Sequence, residues 1–187
     1  MGPLPKLVIL GRDGVINERR EGGVETAEDW VPIEGSLEAI ARLNHAGVLV
    51  ALASNQPGVG DGRLPVHELN RIHGRLQQAL ARVGGHVDGI FFCPHSADAG
   101  CSCRKPAPGL LRSAALRLSV ALDRVPVIGD SACDVGAAQA ARARPCLVRT
   151  GRGERTLAES PDLGSACRVF ADLGEAVEQI LAVRPVP

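Results

Sequence analysis

Short apolar runs alternate with amphipathic stretches along most of the chain. Five runs have the length and apolar content of buried strands, and they lie at 7–10, 48–54, 88–93, 125–129 and 145–149. Between and after these runs, apolar residues recur at helical spacing over 35–47, 66–84, 109–120, 134–143 and 172–182. Ser36 can cap the first of these helices, and Gly47 can end it. The alternation predicts an α/β fold, a Rossmann-like parallel sheet with helices on both faces.

Four polar loops are expected at the carboxyl edge of this sheet. They span 11–17, 54–58, 104–106 and 129–134, and right-handed crossovers would bring all of them together. Enzymes with α/β folds place their chemistry in loops of this kind. The Pro- and Gly-rich segment 94–109 indicates an insertion between a strand and a helix. Because the sequence has no repeat or linker, we expect one domain over 1–187, with a minimal cap and an open site.

The composition changes the range of partners that the chain is expected to have. There are 21 Lys plus Arg against 21 Asp plus Glu, with one Trp, no Tyr and three Phe. Such a chain lacks the basic field and the stacking surface that favour nucleic acid. No run approaches the 18 apolar residues of a membrane helix, and the amino-terminal MGPLPKLVIL leads into a strand instead of resembling a signal peptide. We expect a cytoplasmic monomer that binds neither nucleic acid nor membrane.

The six cysteines divide into a cluster and three scattered residues. The cluster lies in the loop 93–103 and consists of Cys93, His95, Cys101 and Cys103. Without a secretory signal, such a cluster favours a metal over disulfides. Four ligands with no open position suit a structural Zn²⁺ site, and free thiols in a turn are the alternative. Small buried roles are expected for Cys133, Cys146 and Cys167, and ordinary surface or core roles for His45, His67, His73 and His86.

The last of the four loops carries two carboxylates. Asp130 follows directly on a predicted strand, and Asp134 lies four residues further on. Carboxylates that project from a strand end are oxygen ligands suited to Mg²⁺. The alternative is that Asp130 or Ser131 only caps the helix that follows.

Two other loops carry groups that can bind a phosphate. Ser54, Asn55 and Gln56 can donate hydrogen bonds to phosphate oxygens, although they also suit an ordinary polar turn. Arg104 and Lys105 precede two prolines that stiffen the backbone. A Lys held at the sheet edge can neutralise a phosphoryl group, and a solvated basic pair is the alternative.

Taken together, the order and spacing of these loops resemble the haloacid dehalogenase superfamily of phosphotransferases. Its pattern is a strand with D-x-D-G, a strand with Ser or Thr, a Lys, and a strand with G-D-x-x-x-D, and the match covers about residues 6 to 150. Within the superfamily, finer detail is similar to the D-glycero-D-manno-heptose 1,7-bisphosphate 7-phosphatase family, whose loops are shared by histidinol-phosphate phosphatases. The segments that carry this similarity are RDGVIN, SNQPG, CPH, CSCRKP and LVRTG.

The resemblance implies hydrolysis of a phosphorylated sugar through an aspartyl-phosphate, with Mg²⁺ as cofactor and a structural Zn²⁺. Asp13 would be the acid and base, and its backbone carbonyl would join Asp130 in holding Mg²⁺, with Asp134 in support. Ser54 and Lys105 would stabilise the transferring phosphoryl group. Substrate contacts are implied for Asn55, Gln56, Arg104 and Ser131.

The chain departs from the family pattern at two places. Gly11 stands where the family has the nucleophilic Asp, so the site loses a nucleophile and a metal ligand together. In PGVGDG (57–62) the family usually has Ser-Gly-(Ile/Leu)-Ala-Arg-Gly, so Asp61 replaces a basic residue. The hypotheses are a heptose-bisphosphate-type phosphatase that is impaired or inactive, an inert pseudophosphatase that binds a sugar phosphate or a partner, and a histidinol-phosphate-type phosphatase.

Overall fold

A six-stranded parallel sheet forms the centre of the molecule. The computed structural model describes residues 3–182, and the strands within them are β1 (Leu7–Leu10), β2 (Leu49–Asn55), β3 (Gly89–Cys93), β4 (Pro126–Gly129), β5 (Arg144–Val148) and β6 (Arg168–Phe170). Every neighbouring pair is parallel, in the order β3-β2-β1-β4-β5-β6. This doubly wound order reverses direction between β1 and β4, which opens a crevice at the carboxyl ends of these strands.

Helices cover both faces of the sheet. They are α1 (Ser36–His45), α2 (Pro57–Gly60), α3 (Val66–Arg82), α4 (Gly109–Leu118), α5 (Ala132–Ala140), α6 (Gly153–Glu159), α7 (Leu163–Ala166) and α8 (Leu173–Leu181). Single 3₁₀ turns occur at Ala97–Ala99 and Leu122–Arg124. No helix in the described part of the chain is long and apolar enough to cross a membrane.

The residues of β1 are buried on both faces, as expected for a central parallel strand. Leu7 and Ile9 belong to a core that includes buried residues of α4 and α5. Val8 and Leu10 belong to the core on the opposite face, which includes buried residues of α1, α3 and α8. Because side chains alternate along a strand, this short apolar run fixes the position of the loop that follows it.

The predicted α/β fold is confirmed, and so are the five predicted strands and five predicted helices, with small shifts at their ends. Four short elements were not predicted, because three to seven residues show too little periodicity, and these are β6, α2, α6 and α7. The predicted cap of α1 is wrong. Ser36 is the first helical residue, Gly35 precedes it at φ 75°, and the Ser36 hydroxyl donates to the carbonyl of Ile16 at 2.7 Å.

His73 of α3 lies in the core, close to the loop after β1. Its ring centroid is 6.1 Å from that of Phe92, and its Nε2 has no hydrogen-bond partner within residues 3–182. Burial and, to a smaller extent, the charge of the nearby Arg12 guanidinium lower the pKa of His73 to about 4, although Asp13 opposes the shift. His73 is therefore neutral in the folded protein at physiological pH.

This burial predicts a pH-dependent loss of stability. The unfolded chain protonates His73 near pH 6.5 and the folded protein near pH 4, so stability is full above pH 6.5 and falls as the pH drops towards 4. Between pH 7 and pH 5 the loss is about 2 kcal/mol. Urea unfolding at both pH values should show that His73→Leu removes this part of the loss. The exposed His67→Gln is the control and should keep it, and equal pH dependence in both variants would contradict the prediction.

Candidate active site

A cleft of about 70 Å³ lies at the carboxyl edge of β1, β2 and β4, where the strand order reverses. It brings together residues from all four predicted loops. Eight of the predicted site residues line it, namely Gly11, Asp13, Ser54, Asn55, Lys105, Asp130, Ser131 and Asp134. The lining also includes Arg12, Arg19 and Cys133. Because the volume is small, the cleft can enclose a group about the size of a phosphoryl rather than a whole sugar.

Asp13 is held in place by three neighbours. The Arg12 guanidinium donates to both carboxylate oxygens at 2.9 Å, and Asn17 donates to Oδ1 at 3.0 Å. Gln56 bridges Asp13 Oδ2 and the Ser54 hydroxyl, each at 3.3 Å. Burial alone would raise the pKa of Asp13, but the Arg12 charge and these hydrogen bonds hold the pKa below its usual value. Asp13 is therefore ionised, in the form that accepts a proton.

Lys105 is fixed at the edge of the sheet by its backbone and by its side chain. Asn55 accepts from the Lys105 backbone N–H and donates to its carbonyl, both at 3.0 Å. The Lys105 ammonium donates to the carbonyl of Ala53 at 2.7 Å and to Asp134 Oδ1 at 2.5 Å. Both side chains of this ion pair are buried, and Ser131 donates to the other oxygen of Asp134. An ammonium has three N–H groups, so one remains available for a ligand in the cleft.

Asp130 lies at the end of β4, with one oxygen packed against the backbone. Its Oδ2 accepts from the N–H of Arg152 at 3.0 Å and is 3.6 Å from Nε of Arg19. A Cβ on Gly14, whose φ is +81°, would overlap this carboxylate, so the close approach requires glycine. Burial and the carboxylate of Asp134 together raise the pKa of Asp130, although Arg19 opposes the shift.

Gly11 follows β1 in a conformation that does not require glycine. Its φ lies outside the left-handed region, and its N–H donates to the carbonyl of Ile128 at 2.8 Å. A Cβ at this position would lie 3.1 Å from Val15 Cγ2 and 3.6 Å from the Ile128 oxygen. A small shift of the Val15 side chain would relieve the closest contact, so the backbone can accept a side chain here.

Two threonines that were not predicted as site residues support the cleft from the segment after β5. Thr150 donates to the carbonyl of Gly14 at 2.7 Å, and Thr156 donates to the carbonyl of Asp130 at 3.0 Å. Both follow β5, and Thr150 belongs to the LVRTG segment that carried part of the family resemblance. Their hydrogen bonds fix the backbones that place the two acidic loops.

Three further cleft residues were also missed or misjudged. Arg12, with a fully buried side chain, and Arg19 add two positive charges to the cleft. The prediction of a buried Cys133 is wrong, because this thiol is exposed in the first turn of α5 and lines the cleft. Cys146 is buried as predicted, whereas Cys167 is only half-buried.

Two predicted substrate contacts lie outside the lining of the cleft. Gln56 is buried and acts on the cleft through its hydrogen bonds to Asp13 and Ser54. The Arg104 guanidinium donates to the carbonyl of His95 at 3.3 Å, which turns it towards the loop 93–103. In this conformation Arg104 supports the loop next to the cleft.

The cysteine–histidine cluster of the loop 93–103 has the dimensions of a metal site. Its sulfur atoms are separated by 3.3 Å (Cys93 to Cys103), 3.5 Å (Cys101 to Cys103) and 3.6 Å (Cys93 to Cys101). Nδ1 of His95 is 3.5 Å from Cys93 Sγ and 3.3 Å from Cys103 Sγ. Thiolates bound to one tetrahedral Zn²⁺ at about 2.3 Å would be roughly 3.8 Å apart. The four ligand atoms can therefore close around a single ion.

Residues 57–62, where the chain departs from the family pattern, contact two neighbouring segments. Asp61 is 3.4 Å from the Arg63 guanidinium, which also donates to Glu25 at 2.6 Å. These exposed pairs connect the loop to the segment after β1. A Cβ on Gly60 would come within 2.6 Å of the carbonyl of Pro94, so glycine lets the loop pack against the start of the cysteine–histidine loop.

Comparison with known proteins identifies the family. A model for HAD-hydrolase-like proteins matches residues 102–176. The D-glycero-β-D-manno-heptose-1,7-bisphosphate 7-phosphatase of Bordetella bronchiseptica is 47% identical over 94% of this chain and 98% of its own length. That of Pseudomonas putida is 45% identical, over 94% and 99%. The chain belongs to the heptose-bisphosphate 7-phosphatase family.

Solved structures from this family have the same fold as the chain. The D,D-heptose 1,7-bisphosphate phosphatase of B. bronchiseptica, complexed with magnesium and phosphate, has a TM-score of 0.92 at 46% identity, covering 96% of this chain and 99% of that one. The Burkholderia thailandensis phosphatase has a TM-score of 0.75 at 40% identity, covering 95% and 99%. Membership of this family, together with the likeness to these structures, indicates hydrolase activity by resemblance.

The glycine geometry predicts opposite effects of alanine at two neighbouring positions. Gly11→Ala should change the free energy of unfolding by less than about 1 kcal/mol, because the backbone conformation suits any residue. Gly14→Ala should cost more than about 2 kcal/mol, because its φ is left-handed and the new Cβ meets Asp130. Chemical unfolding of both variants checks this. A large loss in Gly11→Ala would contradict the argument that position 11 can accept a side chain.

Proposed function

We propose that this chain is built as a phosphomonoester hydrolase for sugar bisphosphates of the heptose 1,7-bisphosphate type, and that Gly11 disables its aspartyl-phosphate route. The observation that carries this proposal is the convergence of Asp13, Lys105 and Asp130 in one cleft, beside a position 11 that has no carboxylate. The near full-length similarity to heptose-bisphosphate 7-phosphatases supports the substrate class.

The proposed roles follow from charge and hydrogen-bonding capacity. Lys105 neutralises the phosphoryl group with its free N–H, and Ser54 donates to a phosphoryl oxygen. Asn55 positions Lys105 through its two backbone hydrogen bonds. Asp13 is ionised and acts as a base, and it becomes an acid only where a ligand displaces Arg12 from its carboxylate. The sugar lies outside the small cleft, where the site is open.

Few carboxylate oxygens of this cleft are free to coordinate Mg²⁺. Both oxygens of Asp13 and both of Asp134 accept hydrogen bonds, whereas Oδ1 of Asp130 is left to coordinate an ion. With the backbone carbonyl of Asp13, Asp130 would hold Mg²⁺, which commonly keeps several waters and takes ligands from substrate phosphates. The ion would supply charge neutralisation at the phosphoryl group.

A second candidate function is binding of a sugar phosphate without turnover. The absent nucleophile favours it, together with cleft carboxylates that are each paired with a cation. A site of this kind can retain a phosphate although it cannot form an aspartyl-phosphate. A third candidate function is hydrolysis of histidinol phosphate. Comparing turnover of histidinol phosphate with turnover of heptose 1,7-bisphosphate distinguishes it from the first.

We also propose that the cysteine–histidine cluster binds a structural zinc ion. Cys93 ends β3, and Cys103 lies two residues before Lys105. An ion shared by Cys93, His95, Cys101 and Cys103 would tie the inserted loop to the sheet. It would thereby fix the backbone that carries Lys105 into the cleft.

Restoring the carboxylate should restore turnover. Gly11→Asp should release phosphate from D-glycero-D-manno-heptose 1,7-bisphosphate at least about 100-fold faster than the unaltered chain, because it regains the nucleophile. Gly11→Asn is the matched control, since it has the same size without the charge. A colorimetric phosphate assay with Mg²⁺ present measures all three proteins, and histidinol phosphate is run alongside.

The alternatives give different results in this assay. Comparable turnover by the unaltered chain and Gly11→Asp would show that the reaction does not use position 11. No turnover by any variant would favour the binding protein. Preference of Gly11→Asp for histidinol phosphate would overturn the heptose assignment.

Zinc binding predicts a defined metal content. The purified chain should carry about one zinc per molecule by plasma mass spectrometry, and Cys103→Ser should lose most of it because a ligand is missing. Cys133→Ser is the control, since this exposed thiol lies outside the cluster. A zinc-free preparation that folds normally would reject the site.

A further inference from the structure

We propose that Arg19 binds the phosphate group in the cleft and makes this binding independent of Mg²⁺. The inference rests on the proposed function only in taking the cleft as a phosphate site. Arg19 is not part of the family pattern described above. The role inferred for it is in phosphate binding and not in turnover.

Arg19 extends from the loop after β1 towards the end of β4. Its Nε is 3.6 Å from Asp130 Oδ2, which is an ion-pair distance but too long for a hydrogen bond. The Nε–H is buried and has no hydrogen-bond partner among residues 3–182. An unpaired buried donor costs free energy, and an anion in the cleft that Arg19 lines would satisfy it. A guanidinium also matches two phosphate oxygens at once.

The charges in the cleft balance without a metal ion. Three carboxylates and three cations line it, in the pairs Arg12–Asp13, Arg19–Asp130 and Lys105–Asp134. Their formal sum is zero. A phosphate dianion therefore meets no net repulsion. Each of the three cations also keeps a donor that its partner does not use, namely Arg12 Nη1, Arg19 Nε and the third N–H of Lys105.

Gly11 is essential to this balance. An aspartate at position 11 would add one negative charge, so the same cleft would have a formal charge of −1. Phosphate would then need a bound cation to offset the repulsion. Gly11 and Arg19 therefore act together. Gly11 keeps a fourth negative charge out of the cleft, and the Arg19 guanidinium lies beside Asp130, whose charge a metal ion would otherwise neutralise.

Arg20 gives a matched comparison because it is adjacent but serves another contact. Its Nε donates to the backbone carbonyl of Asp29 at 3.1 Å, and its guanidinium is 3.8 Å from the Asp29 carboxylate. Arg20 does not line the cleft. Replacing either arginine removes one charge from the same loop, and only Arg19 affects the proposed site.

Titration calorimetry with inorganic phosphate tests the proposal. The full chain is used in chelator-free buffer depleted of Mg²⁺ with a resin, so that any zinc is retained, and again with Mg²⁺ added. Affinity of the unaltered chain should differ less than about threefold between the two conditions. Without Mg²⁺, Arg19→Gln should bind phosphate at least about tenfold more weakly than the unaltered chain. The phosphate affinity of Arg19→Lys should lie between those two, and that of Arg20→Gln should match the unaltered chain. In Gly11→Asp, binding should require Mg²⁺.

Several results would overturn the proposal. One is phosphate binding by the unaltered chain only when Mg²⁺ is present. The others are an equal loss of phosphate affinity in Arg19→Gln and Arg20→Gln, or no loss of phosphate affinity in Arg19→Gln. Thermal unfolding of each variant shows whether it is folded, and Arg19→Lys provides a second variant that keeps the charge. The proposed function fails separately, because inactive Gly11→Asp would reject it without changing the Arg19 dependence of phosphate binding.

Discussion

The cleft depends on one electrostatic constraint, which is that a carboxylate taken out of water needs a nearby cation or hydrogen-bond donors. Asp130 and Asp134 project from the end of β4 and the start of α5 into a region that buries both. Lys105 and Arg19 reach them from two other loops. Because these partners are distant in the sequence, the loops must converge before the acidic residues can be buried at acceptable cost. The parallel sheet meets this requirement because β1, β3 and β4, which precede these loops, all end at the same edge.

The same constraint explains how position 11 can lose its carboxylate while the fold is kept. The backbone there is ordinary and hydrogen-bonds to Ile128, and Val15 packs beside it. Removing a buried charge takes away one group that would need a partner, and the remaining acids already have theirs. Gly14 is different, because its left-handed conformation allows the loop to approach Asp130. Substitution at position 11 and substitution at Gly14 therefore have different structural consequences, although the two positions are only three residues apart.

The sequence was sufficient to predict the sheet, the loops and most of the residues that line the cleft, because buried strands have strong apolar patterns and their ends carry the polar residues. It could not predict the pairing of Arg19 with Asp130, which depends on how a loop without regular structure folds back across the crevice. The support from Thr150 to Gly14 spans 136 positions and has no local signal. Arg104 was expected in the cleft, but a carbonyl in its own loop competes for its guanidinium. Side-chain direction in loops is set by such tertiary contacts.

The cysteine–histidine loop links the periphery of the molecule to this electrostatic centre. Cys93 is buried at the end of β3, where its carbonyl accepts from the N–H of Gln56 at 2.8 Å. Gln56 in turn contacts Asp13 and Ser54. At its other end the loop leads into Lys105, which Asn55 holds through two backbone hydrogen bonds. A disturbance of the cluster would therefore reach the cleft by two routes, one through the residues that hold Asp13 and one through the backbone that carries the Lys105 ammonium.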